Sequence, residues 1–174
     1  MTILHRTAAL EAGTGRTVHG IAVPFGETVE IIDGFGEYRE RFERGAFART
    51  IRERAGKIRL FTQHDRRRLP IGRATVLRET DRGLHVEFAI AETSDGDDAL
   101  ELIRSGIVDS FSIGFRPIRD RRDGDIVSRT EVALLEVSLV SEPAYPGALV
   151  GGVRSREARI PSTAAQARLR LLSL

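Results

Sequence analysis

Val132-Ala133-Leu134-Leu135-Glu136-Val137-Ser138-Leu139-Val140 carries a single charge. Read at the two-residue period of a strand, both of its faces are apolar apart from Glu136. A strand apolar on both sides is covered on both sides, so the stretch from Ser128 to Val140 is expected to be a long central strand, ended by Glu142-Pro143. Its lone carboxylate then has to be paired, because an isolated buried charge costs several kcal/mol. A protonated His would meet that need; so would an Arg in a purely structural pair.

Working outward, Val108–Ile118 reads as the preceding strand, joined to the central one by a polar hairpin loop, Arg119–Asp125, that contains Asp123-Gly124. Ser94–Ser105 has the pattern of a helix. Ser94 stands where a cap would, Asp95, Asp97 and Asp98 suit the positive N-terminal end, Ala99, Leu102 and Ile103 form an apolar stripe, and Gly106 stops it. Further back, Ile71–Leu77 and Leu84–Ala91 are strands joined through Thr80-Asp81-Arg82-Gly83. Lys57–Gln63 alternates, with Ile58, Leu60 and Thr62 on one side, and the same alternation puts His64 on that side. Phe47–Arg54 reads as a short helix that Gly56 stops. Thr28–Ile32 and Tyr38–Phe42 are weaker strand candidates, and Thr17–Phe25 a firmer one. Residues 1–14 read as a loose lead-in, 15–150 as the domain, and 151–174 as a tail beginning at Gly151-Gly152, with a short helix over about Thr163–Leu172. The total is about seven strands and two helices, with the strands mostly consecutive. The expected class is mainly β (α+β): an antiparallel sheet closed into a barrel, with a few flanking helices.

Composition narrows the chemistry. The chain has 174 residues, a size for one domain, and 41% are hydrophobic, enough for a core. Cysteine is absent, which excludes disulfides, thiol catalysis and zinc–thiolate sites. No apolar run reaches the roughly 18–20 residues that cross a bilayer, and the first ten residues lack the apolar segment of a signal peptide, so a cytoplasmic protein with no membrane partner is expected. The isoelectric point of 9.6 accompanies a formal net charge of only +2, because every cation but Lys57 is an arginine. Short basic clusters at Arg66-Arg67-Arg68 and around Arg119, Arg121 and Arg122 could meet nucleic acid, but the acids mixed among them and the 6% aromatic content disfavour it. No metal-ligand spacing, phosphate loop or dinucleotide glycine signature is present, so no cofactor is expected.

Three positions could carry chemistry. His64 closes a strand directly before Asp65, and an imidazole at a strand mouth is suited to general-base work near neutral pH. Ser110, Ser112 and Gly114 share one face of their strand, giving the small polar surface that a nucleophilic Ser and a close-lying acyl group need. Glu136 is the third. Each has an ordinary alternative: a merely exposed His, a solvated strand face, a Glu–Arg pair.

An ordered set of segments resembles the tailed-phage prohead (procapsid maturation) serine protease family, related in fold to herpesvirus assemblin. The segments are Gly20-Ile21-Ala22-Val23-Pro24-Phe25-Gly26, Glu43-Arg44-Gly45-Ala46-Phe47, Gln63-His64-Asp65 with Pro70-Ile71-Gly72, Gly83-Leu84-His85-Val86, Gly106-Ile107-Val108-Asp109-Ser110-Phe111-Ser112-Ile113-Gly114-Phe115, Leu135-Glu136-Val137-Ser138-Leu139-Val140 and Pro143-Ala144. They cover about residues 15–150. The resemblance implies an assemblin-like barrel with His64 as base, Ser112 as nucleophile and Glu136 as third member. His85 stays in contention for that last place, since a second His fills it in the herpesvirus proteins, as do Asp65 and Asp109. The family usually has Gly-Leu where this chain has Ser110-Phe111, so Ser110 competes with Ser112, which the Ile-Gly-Phe sequel favours. The implied substrates are the scaffolding segment of the major capsid protein and the protease itself, cleaved in the tail, with a homo-oligomer acting inside the immature shell in the host cytoplasm. A catalytically inactive relative serving as scaffold or assembly factor would share every one of these fold features.

Overall fold

A computed structural model describes residues 15–33 and 36–154. The expected helix over Thr163–Leu172 lies outside the described residues. The strands are β1 (Thr17–Pro24), β2 (Val29–Asp33), β3 (Gly36–Phe42), β4 (Arg59–Thr62), β5 (Gly72–Thr80), β6 (Gly83–Ile90), β7 (Ser110–Asp123), β8 (Ile126–Val140) and β9 (Val150–Arg154); the helices are α1 (Ala48–Arg54) and α2 (Ser94–Arg104).

All nine strands belong to one sheet, in the order β2-β3-β8-β4-β5-β6-β1-β9, with β7 on the other edge of β8. The long apolar strand is central, as its two-sided pattern requires. β7 runs along one edge of it, while β3 and then β4 occupy the other. Two expectations need correction. The sheet is mixed, because β3 and β4 both lie parallel to β8. It is also open, so there is no closed barrel. At the gap, β7 meets the chain ahead of β9 through one bridge, Ser110 to Leu149, made by Phe111 N–H to Ala148 O and Val150 N–H to Asp109 O, both 2.8 Å. Closing a barrel takes a continuous ladder, and this one stops after a single rung.

Local differences have local causes. The expected loop 119–125 is mostly strand: β7 reaches Asp123 and the turn tightens to Gly124-Asp125. Cross-strand polar contacts hold this ribbon, among them Arg129 Nη1 to Asp120 at 2.7 Å and Thr130 Oγ1 to Arg119 O at 2.9 Å. Thr93, not Ser94, caps α2, its hydroxyl accepting from Gly96 N–H at 3.3 Å. Gly56 does not break the chain after α1 but sits inside a short 3₁₀ turn, Ala55–Lys57. Gly151-Gly152 does not end the sheet, since β9 passes through it to pair with β1, with Gly152 at φ +135 beside the register shift at His19/Gly20.

The core is built on Phe42. It stacks on Phe47 with centroids 5.4 Å apart and meets Phe115 and Tyr145 edge-on at 5.1 and 5.6 Å. α1 is fastened to the sheet by polar contacts. Thr50 Oγ1 accepts from Leu134 N–H at 3.1 Å, and Glu79 of β5 accepts from Gly45 and Phe47 N–H at 2.8 Å each, standing in for a cap that α1 lacks. β8 is thereby held from both edges and from above, so whatever projects from it has a fixed origin.

Candidate active site

β4 ends at Thr62, and the next two residues, Gln63 and His64, both adopt left-handed backbone conformations (φ 51 and 57). For non-glycine residues this costs on the order of 1 kcal/mol or more each and persists only where surrounding contacts impose it. Here Gln63 N–H donates to Leu139 O at 2.9 Å, His64 N–H to Ser138 Oγ at 3.2 Å, and Asp65 N–H to Thr62 O at 3.0 Å. The left-handed pair also breaks the alternation. Leu60 pairs with Val137 in the core and Phe61 with Ser138, whereas His64 reaches Glu136, on the Phe61 and Ser138 face. The expected side for His64, with Ile58, Leu60 and Thr62, is therefore wrong.

His64 Nδ1 lies 2.7 Å from Glu136 Oε1, and Ser138 Oγ donates to Glu136 Oε2 at 2.8 Å. Glu136 is 2% exposed, and its partner is a half-buried imidazole rather than an arginine. The short bond to Glu136 raises the pKa of His64 above its ordinary value, against a smaller opposing effect of burial.

The register brings β7 into the same place. Ser112 faces Ser138 and Gly114 faces Glu136 across the β7–β8 ladder. Directly opposed residues project to one side of the sheet, so these four positions form a rectangle. The carboxylate lies over Gly114: a Cβ there would come 2.4 Å from Oε1, the atom that His64 contacts. Ser112 occupies the remaining corner, about 7 Å along the strand from Gly114; among the described residues no hydrogen bond joins it to His64, whose side-chain partner is Glu136. Ser112 also lines a cleft of about 600 Å³ with Ile113, Phe115, Ala144 and Tyr145. Gly114→Ala is expected to keep the fold, because only a side chain must yield. It should displace Glu136, return the His64 titration toward its ordinary midpoint and cost about 10²-fold in any reaction that needs the pair, read by histidine NMR and kinetics.

The rival positions lie elsewhere or are engaged. Ser110 is buried and donates to Asp109 Oδ1 at 2.7 Å. His85, on β6, pairs with Glu87 at 3.3 Å. Asp65 accepts from the main chain and side chain of Arg67. Of the acids and the second His considered, Glu136 is the one in contact with His64. Several members of the basic clusters are paired with acids, Arg68 with Asp95, Arg119 with Glu131 and Arg121 with Glu43. Sequence reasoning missed Ser138. A serine in a strand is unremarkable in itself, and the available signal was only its place two residues from Glu136, on the same face.

The sequence profile of the caudovirus prohead serine proteases matches residues 4–161. The chain belongs to that family. It is 43% identical over 82 residues to the prohead protease of Escherichia phage T5, covering 46% of this chain and 38% of that protein. It is also 27% identical over 117 residues to the prohead protease of Enterobacteria phage HK97, covering 64% of this chain and 51% of that one. The alignments thus span about half or less of the length of these relatives. Among the described residues of this family member, no helix is long and apolar enough to cross a membrane and no cluster of side chains could hold a metal ion.

Proposed function

We propose that the chain is a serine endopeptidase of phage capsid maturation, with Ser112 as nucleophile, His64 as general base and Glu136 as the acid that orients it. The observation that carries this reading is the 2.7 Å His64–Glu136 contact beside the register position of Ser112, in a chain whose family is named for serine proteolysis. Glu136 holds the proton on Nδ1 and leaves Nε2 basic. Nε2 takes the Ser112 proton as Oγ attacks the scissile carbonyl, and backbone N–H groups stabilise the oxyanion. The imidazolium then protonates the leaving amine. A water, deprotonated by the same nitrogen, attacks the acyl-enzyme, releasing the new carboxyl terminus and restoring Ser112. No step calls for a cofactor.

The substrates we infer are the scaffolding segment of the major capsid protein and the protease itself, inside the immature shell. Within the tail expected from Gly151 onward, we infer self-cleavage after Arg154 rather than inside β9, whose backbone is paired with β1 and not free to enter another copy's site. The inactive-scaffold reading gains nothing from a buried carboxylate spent on a histidine. Co-expression of the full chain with its capsid protein, followed by intact mass spectrometry, tests the proposal. Shortened capsid protein is expected with the native chain and none with His64→Ala; full-length capsid protein in both would overturn it.

A further inference from the structure

The Ser138 hydroxyl touches both halves of the His64–Glu136 pair. It is fully buried in β8, donates its proton to Glu136 Oε2 at 2.8 Å and accepts from the His64 main-chain N–H at 3.2 Å. A hydroxyl has one proton and two lone pairs, so both bonds are made together. The first fixes the carboxylate plane and leaves Oε1 for Nδ1. The second holds His64 at its left-handed φ of 57, a conformation that relaxes unless something holds it. Resting on the reading of His64 as the base, we propose that Ser138 is a positioning residue that locks the Glu136 carboxylate and the His64 main chain into one unit, so that the imidazole is presented to Ser112 in a single orientation and tautomer.

The groups around the imidazole make this testable by titration. Glu136 faces it from β8. β7 presents Ser112 and Gly114, neither charged. On the loop itself Asp65 is held by Arg67, and Arg68 turns to Asp95 of α2. Without the Ser138 proton the buried carboxylate has one donor fewer. With the carboxylate plane and the left-handed His64 main chain both released, the Nδ1–Oε1 bond that lifts the His64 pKa weakens, and His64 titrates closer to its ordinary value. A hydroxyl that only filled space would move neither that midpoint nor turnover.

The test uses the full chain with Ser138→Ala and Ser138→Thr, folding checked by thermal melts. His64 is followed by ¹³C-histidine NMR, and kcat and KM are measured on a peptide that the native chain cleaves. Ser138→Ala is expected to lower kcat about 10–100-fold, as losses of outer-shell partners do, with KM within about twofold and the His64 midpoint lowered toward its ordinary value. Ser138→Thr should restore both; where its extra methyl prevents folding, Ser138→Cys replaces it, with values between alanine and native expected. An unchanged or raised midpoint, unaltered kcat, or a hydroxyl-bearing variant as impaired as alanine would overturn the proposal. Should the native chain cleave nothing, the protease reading fails, while the NMR comparison still decides the role of Ser138.

Discussion

Ser112→Ala is expected to remove proteolysis almost entirely, lowering kcat by about 10⁶-fold while leaving the fold in place. The size of the loss follows from the logic of a covalent mechanism. With no oxygen to form the acyl-enzyme, only the binding and oxyanion contributions survive, and in serine proteases those leave a rate about 10³–10⁴ above water. The fold should tolerate the change because Ser112 is half-buried and makes its ladder with β8 through backbone, which alanine retains. The decisive comparison is with Ser110→Ala. Ser110 is buried and bonded to Asp109, so its loss should cost stability and spare most of the turnover. Intact mass spectrometry of the co-expressed capsid protein and thermal melts on both variants read the two effects separately. If Ser110→Ala is the silent enzyme and Ser112→Ala still cleaves, the nucleophile has been misassigned by two residues on one strand face.

The Ile-Gly-Phe sequel already favours Ser112 in the sequence, whereas the burial of Ser110 and its bond to Asp109 emerge only in the structure, which illustrates what the sequence makes legible. The single charge within Val132–Val140 was enough to predict a central strand holding a carboxylate that needs a partner, because two-sided burial leaves a direct mark on composition. The Thr80–Gly83 turn and most of the α2 stripe are readable for the same reason, each resting on residues close together in the chain; Ala99 and Ile103 are buried as expected, but Leu100 packs inward in the place the stripe assigns to Leu102, and Leu102 is exposed. What escaped was set by contacts between distant segments. Whether β7 closes onto β9 depends on one bridge at Leu149, and the parallel placement of β3 and β4 on β8 depends on how connections route around the core. β9 was lost because a Gly-Gly pair breaks the local strand pattern, although pairing with β1 overrides it. The site shows the same division. His64, Ser112 and Glu136 could be named as chemically apt residue types, but alternation put His64 on the wrong face. Two consecutive left-handed residues reverse it, and nothing in Gln63-His64 announces them, since their conformation is imposed from outside by Leu139 and Ser138.

Glu136→Gln carries the second large effect, and its signature is a displaced pH profile as well as a lower rate. The amide is nearly isosteric and can still accept from Nδ1–H, so the strand should remain folded. It carries no charge, however, to offset the imidazolium that forms when Ser112 gives up its proton, and its amide N–H can donate to Nδ1 and favour the wrong tautomer; an amide in this place costs about 10⁴-fold in kcat. The charge-assisted hydrogen bond to the Glu136 carboxylate is the main reason that His64 titrates above its ordinary value; with that charge gone, burial is left to push the midpoint down. A general base works only when neutral. The native chain should therefore lose activity as pH falls through a midpoint above about 6.5, and the variant, though much slower, should hold its own plateau to lower pH. Stability runs in the opposite sense. A histidine whose folded-state pKa is raised stabilises the fold fully below its unfolded pKa, and that contribution is lost as pH rises through the folded one. The melting temperatures of native chain and variant should therefore differ most on the acid side of about 6.5 and converge above the His64 midpoint. Profiles of kcat/KM and melts across the same pH range measure both. An acid limb at the same pH in the two proteins would mean that Glu136 does not govern His64, and the proposed division of labour between them would fall.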